Sequence, residues 1–198
     1  EDGVGPDGLF DSGGNRPDGW SDGIAKARKV PVQEINFRHP GGTYRQSYTD
    51  FGSYAREWAL SVQSQIQAAV RANPGRRAIV VSHSWGTVVT KLALMGGQAS
   101  GEIAPVSGVT VDEWVTLGSP LGSDGSLRTL AHVEVQDGRP SAVKHWTNFY
   151  DPEDIISTRS QNLAGAENVE VTGSASWYPW NSAHMGIWTN PRVMAWLR

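Results

Sequence analysis

The chain has 198 residues, 38% of them hydrophobic and 19% charged, with a formal net charge of -3. That length supports one domain with a continuous core and is too short for two ordinary ones, and the weak negative charge offers no field for nucleic acid, which is not an expected partner. The absence of cysteine excludes thiol catalysis, zinc-thiolate sites and disulfides together.

Residues 1–23 are dominated by Gly, Asp, Pro and Asn, the composition of a loop. Asp7, Asp11, Asn15 and Asp18 are spaced faintly like a calcium loop. The turn Gly and closing Glu of an EF-hand are missing, so a plain solvated loop without a metal ion is expected. Residues 1–8 have no signal-peptide pattern. No apolar run approaches the ~18 to 20 residues of a membrane span, so no transmembrane segment is expected. A chain without cysteine suits the cytosol and secretion alike.

Gly19-Trp20-Ser21-Asp22 is expected to start a short helix reaching Lys29, and residues 30–37 read as a strand with Pro31 at its beginning. After a loop at Gly41-Gly42, Tyr54, Trp58, Val62, Ile66 and Ala69/Val70 recur every three or four positions. This predicts an amphipathic helix of about five turns, ended by Asn73-Pro74-Gly75. Ala78-Ile79-Val80-Val81 is a continuous apolar run suited to a strand buried on both faces of a parallel sheet. Residues 87–95 are helical in pattern and stop at Gly96-Gly97. Further strands are expected at 113–117 and 143–150, with a short last one at 168–172, and Asn190-Pro191 caps a final helix through Leu197. Strands alternating with helices imply an α/β domain whose mostly parallel sheet is flanked by helices. Nine tryptophans, among them Trp146, Trp177, Trp180, Trp188 and Trp196 in the C-terminal third, are expected in core packing, with some lining an apolar pocket.

Ser82-His83-Ser84-Trp85-Gly86 falls where the buried strand meets the next helix. A serine at that junction occupies a strained turn with its hydroxyl at the carboxyl edge of the sheet. Small residues at 82 and 86 let strand and helix approach, hence the usual pattern G-x-S-x-G; here Ser82 replaces the first glycine. The helix from Trp85 aims its dipole and N-terminal N–H groups at whatever sits beside Ser84, where an oxyanion would be stabilised. The pentapeptide alone also fits a serine that merely caps the helix.

A nucleophilic serine needs a base, and the base needs an acid to hold its tautomer. His39 precedes the serine strand, His83 is expected to point away from Ser84, and His132 and His145 lie before or within the strand at 143–150. That leaves His184, in the loop between the last strand and the last helix. The acid is expected on the turn Asp151-Pro152-Glu153-Asp154-Ile155-Ile156. Asp151 can start the turn by accepting backbone hydrogen bonds. Asp154 is followed by two apolar residues that would anchor it against the core with its carboxylate facing the histidine, so it is preferred over Asp151, and Glu153 comes third. An ordinary acidic turn is the competing reading.

Four pieces in order carry a family resemblance: residues 79–86, then Val115-Thr116-Leu117-Gly118-Ser119-Pro120-Leu121-Gly122-Ser123, then residues 148–156, then Ala183-His184-Met185-Gly186-Ile187-Trp188. With these the chain resembles an α/β-hydrolase of the lipase and esterase type, similar to lipases related to glycosylphosphatidylinositol inositol-deacylases, over about two-thirds of its length. The resemblance implies a minimal three-layer α/β-hydrolase sandwich. It makes Ser84 the nucleophile, His184 the general base and then acid, Asp154 the orienting carboxylate, and the Trp85 backbone N–H half of an oxyanion hole. Ser119 and Ser123 become structural or pocket residues. Family members carry an earlier strand ending in His-Gly that gives the second oxyanion donor. Either an N-terminal segment is missing from these residues, or the glycines at 3–5 or Gly13-Gly14 substitute for it. The expected activity is hydrolysis of carboxylic esters, lipid or other acyl esters, with no cofactor. The competing expectation is a hydrolase-fold binding or interaction module with impaired turnover.

Overall fold

The computed structural model describes residues 44–122, 131–157, 159–174 and 182–197, together with Lys29. The Asp-rich start, the elements expected between residues 19 and 37 (Lys29 apart), His39, Ser123, Trp177 and Trp180 lie outside the described residues. In chain order the elements are α1 (Tyr44–Ala72), β1 (Ile79–His83), α2 (Trp85–Met95), β2 (Gly97–Ala99), β3 (Glu102–Ile103), β4 (Val111–Leu117), β5 (Val133–Val135), β6 (Val143–Tyr150), β7 (Glu167–Glu170), α3 (Ser182–Gly186), a 3-10 turn at Ile187–Thr189, and α4 (Pro191–Leu197).

Successive side chains of a strand face opposite sides of its sheet. At Trp114-Val115-Thr116-Leu117 every one of them is buried, so both sides must be covered. They are. Trp114 and its register partner Trp146 stack with ring centroids 4.6 Å apart, in one apolar cluster with Phe51 and Val62 of α1 and Val88 and Leu92 of α2. Val115 and Leu117 join Phe149, Ile187, Val193 and Leu197 in a second cluster on the other face. The result is an α/β sandwich whose central sheet holds four strands, all parallel, in the order β1-β4-β6-β7. Chain order and spatial order coincide, so the loops leaving β1, β4, β6 and β7 gather along one carboxyl edge.

Two regions differ from expectation. Helix α1 has 29 residues and begins at Tyr44 rather than Tyr54. Its buried stripe is Phe51, Ala55, Ala59, Val62 and Ile66, while Tyr54 is 39% exposed. Gly52 sits inside this helix because a Cβ there would lie 1.8 Å from the Ala131 carbonyl oxygen. The glycine marks a close backbone approach and not a helix boundary. Second, β3-β2-β5 form a small antiparallel sheet that no strand pattern predicts. Its Ala99, Ile103 and Val133 pack into the cluster of α1 and α2.

Candidate active site

Ser84 sits between β1 and α2 with φ 51 and ψ -130, a backbone conformation that costs a non-glycine residue about 1–3 kcal/mol. The turn is held on both sides. The Ser84 N–H donates to the Leu117 carbonyl at 3.1 Å, and the Ser84 carbonyl accepts from the Thr87 hydroxyl at 2.7 Å. Ser84 makes no side-chain cap to the helix, so the capping role is not the one it plays. Its hydroxyl instead meets His184 Nε2 at 2.9 Å.

His184 lies on the five-residue α3 rather than in an open loop, and it is 1% exposed. Its Nδ1 is 2.8 Å from Asp154 Oδ2. Burial alone would raise the Asp154 carboxyl, but the hydrogen bond and charge of His184, with the Ile156 N–H, outweigh it and hold the group well below the usual carboxylate range. An ionised carboxylate only accepts, so His184 carries its proton on Nδ1, and Nε2 is left to accept from the Ser84 hydroxyl. The two hydrogen bonds are thereby donated in one direction, from Ser84 to His184 and from His184 to Asp154.

The acidic turn divides its labour. Asp151 accepts from the Glu153 N–H at 3.0 Å and the Ser174 N–H at 3.2 Å. Asp154 accepts from the Ile156 N–H at 2.9 Å and turns its other oxygen to His184. Glu153 is exposed. Of the two apolar residues expected to anchor Asp154, Ile155 is 75% exposed and Ile156 is half-buried; the Ile156 N–H and His184 hold the carboxylate. Gly118 completes the seat. It has φ 53, and a Cβ there would come within 2.8 Å of His184 Nδ1 and 3.1 Å of Asp154 Oδ2, so the imidazole and carboxylate rest directly on backbone.

His83 was expected to point away from the site, and it does not. Its ring lies 4.6 Å from the His184 ring and 4.9 Å from Trp188, with Nε2 at 3.1 Å from the His184 carbonyl oxygen. Desolvation by the surrounding protein, then the charge of His184, push its imidazole down from 6.5 to about 3. The ring stays neutral at ordinary pH. His132 and His145 are exposed and have no part in the cluster.

A line of hydroxyls, which the sequence reading missed, runs behind the serine turn. The Thr87 and Ser119 hydroxyls are 2.8 Å apart, and because Thr87 donates to Ser84 the shared proton comes from Ser119. Ser119 Oγ accepts from the Leu121 N–H at 3.2 Å, and its carbonyl accepts from the Ser160 hydroxyl at 2.6 Å. Ser119 is fully buried and ties the segment after β4 to this network. Ser82 likewise does more than stay small, since its oxygen accepts the Trp114 indole N–H at 2.9 Å. A glycine there would leave that buried donor unsatisfied. Two Ser/Thr side chains in segments that meet at one strand end were the available sign of such a network.

The Trp85 side chain is buried and stacks on Phe51 at 4.3 Å, which leaves its backbone at the start of α2 beside Ser84. Among the described residues, no group of three or more His, Asp or Glu side chains is placed to hold a metal ion, and no helix is long and apolar enough to cross a membrane. No protein-family model matches the chain, and no curated protein matches it.

Proposed function

We propose that this chain is a serine hydrolase that cleaves carboxylic esters, lipid or other acyl esters, through an acyl-enzyme on Ser84. The observation that carries the reading is the hydrogen-bonded line from Ser84 through His184 to Asp154, at 2.9 and 2.8 Å, starting from a strained turn. In this reading the sandwich is a minimal α/β-hydrolase of the lipase and esterase type. Ser84 Oγ attacks the ester carbonyl carbon while His184 Nε2 takes its proton, and Asp154 stabilises the imidazolium that results. The Trp85 N–H and the positive end of the α2 dipole face the oxyanion. Collapse of the tetrahedral intermediate breaks the carbonyl carbon–alkoxy bond, and His184 returns the proton to the departing alcohol. Water then repeats the sequence against the acyl-enzyme and releases the acid.

A fluorophosphonate probe tests this at the nucleophile. The expected result is one label per chain on Ser84, absent in Ser84→Ala, with hydrolysis of short chromogenic esters lost in parallel. Folded wild-type protein that takes no label and turns over no ester sinks the reading.

A further inference from the structure

We infer that His83 is a positioning residue for the base, a neutral clamp whose Nε2–H holds the His184 backbone carbonyl and thereby sets the imidazole of His184 against Ser84. The clamp presupposes the serine-hydrolase reading above. It stands on local geometry that the catalytic steps do not use.

Helix α3 ends at Gly186, and the last carbonyls of any helix lack partners within it. The His184 carbonyl is one of these. The bond that it receives comes from His83 Nε2 at 3.1 Å. A carbonyl can only accept, so His83 must carry its proton on Nε2. The same ring is held between the His184 and Trp188 rings, at 4.6 and 4.9 Å. His83 is also the last residue of β1 and the immediate neighbour of Ser84. One side chain therefore connects the strand that presents the nucleophile to the backbone that presents the base.

Neutrality is part of the design. During acyl transfer His184 becomes an imidazolium, and a second cation in ring contact would oppose that charge. Desolvation, the largest influence, and then the charge of His184 hold the His83 imidazole down at about 3, against the opposing pull of the His184 carbonyl and the Asp154 charge, so the ring is uncharged at neutral pH.

Two substitutions separate the hydrogen bond from the ring. His83→Phe keeps the stack and removes the donor; His83→Gln keeps an N–H at the same reach and removes the ring. If the clamp is right, His83→Phe slows fluorophosphonate labelling of Ser84 and lowers kcat for an acyl ester by roughly 10- to 100-fold, the range a misplacement of about 1 Å produces. KM stays unchanged, and His83→Gln recovers most of the rate. Wild-type rates in His83→Phe, or equal loss in both variants, overturn the clamp. The wild-type protein gives a second measurement that needs no variant to fold. Nitrogen-15 NMR of the histidine rings should show His83 protonated on Nε2 alone at pH 6; an Nδ1–H or doubly protonated ring overturns the proposal. Wild-type protein that is never labelled would instead count against the hydrolase reading, while the ring tautomer would still decide the clamp.

Discussion

Two acidic side chains at opposite ends of the sheet make hydrogen bonds of nearly the same length to a basic partner. At the amino edge Asp112 pairs with Lys144 at 2.7 Å, the side chains 19% and 58% exposed. At the carboxyl edge Asp154 pairs with His184 at 2.8 Å, the side chains 0% and 2% exposed. Both carboxyls are held below their ordinary range, Asp112 by the Lys144 bond and then the Ala78 N–H. Length does not distinguish the pairs. Water does: it screens the first to the ~0.2–1 kcal/mol of a surface ion pair, and its exclusion from the second lets a carboxylate fix one tautomer of an imidazole.

The most severe test of this contrast exchanges each carboxylate for its amide. Asp154→Asn should lower kcat for an ester about 10⁴-fold by favouring the wrong histidine tautomer, whereas Asp112→Asn should leave turnover unchanged and cost less than about 1 kcal/mol of stability. Steady-state kinetics and urea midpoints read both. Inactivation by Asp151→Asn with an active Asp154→Asn would instead move the acid to the other end of the turn.

A second test uses acid. The His83 imidazole falls from 6.5 in the open chain to about 3 in the fold, and the Asp154 carboxyl is depressed below 3.8. In both cases the unfolded chain binds the proton more readily, so stability rises with pH across the window. Stability contributed at these sites is complete above pH 6.5. It is lost first through His83 as pH falls from 6.5 towards 3, and then through Asp154 below 3.8. Urea midpoints measured from pH 7 to 3 should decline, and His83→Gln should flatten the upper part of that slope. A flat wild-type curve between pH 6.5 and 4 would remove the difference drawn between the two edges.

The smallest effect concerns strain. With φ at 51, Ser84 occupies a conformation that glycine adopts at little cost. Ser84→Gly should therefore be more stable than Ser84→Ala by about 1 kcal/mol and melt higher, since both lose the His184 bond and only one keeps the strain. Equal melting temperatures would mean that the turn relaxes in the absence of the hydroxyl.

Much of the sheet was legible because short runs rich in apolar and β-branched residues between turn residues, such as Ala78-Ile79-Val80-Val81 after Asn73-Pro74-Gly75, have few other uses. The strand register then brought Ser84, Gly118 and the loop after Tyr150 side by side. The small antiparallel sheet was not legible, since strands of two or three residues such as Glu102–Ile103 carry no periodicity. The first ten residues of α1 were not legible either, because the recurring positions were counted only from Tyr54, while the buried stripe begins at Phe51 beside Gly52, whose backbone packs on Ala131. Asp154 was picked out with the wrong support, through apolar anchoring that Ile155 does not provide. His83 was misplaced because the direction of a side chain at a turn depends on what packs over it, and Trp188 lies far along the chain.

Ser84 and His184 stand 100 residues apart, and this gives the site a history as well as a shape. During synthesis at about 5–20 residues per second, roughly 5–20 s separate the emergence of the serine from that of the histidine it bonds to. Throughout that interval the nascent chain carries an alcohol no more reactive than any other serine. Under the mechanism proposed above, a product cut short before residue 184 would stay chemically silent however well its first strands had folded, so reactivity would report that translation has passed residue 184.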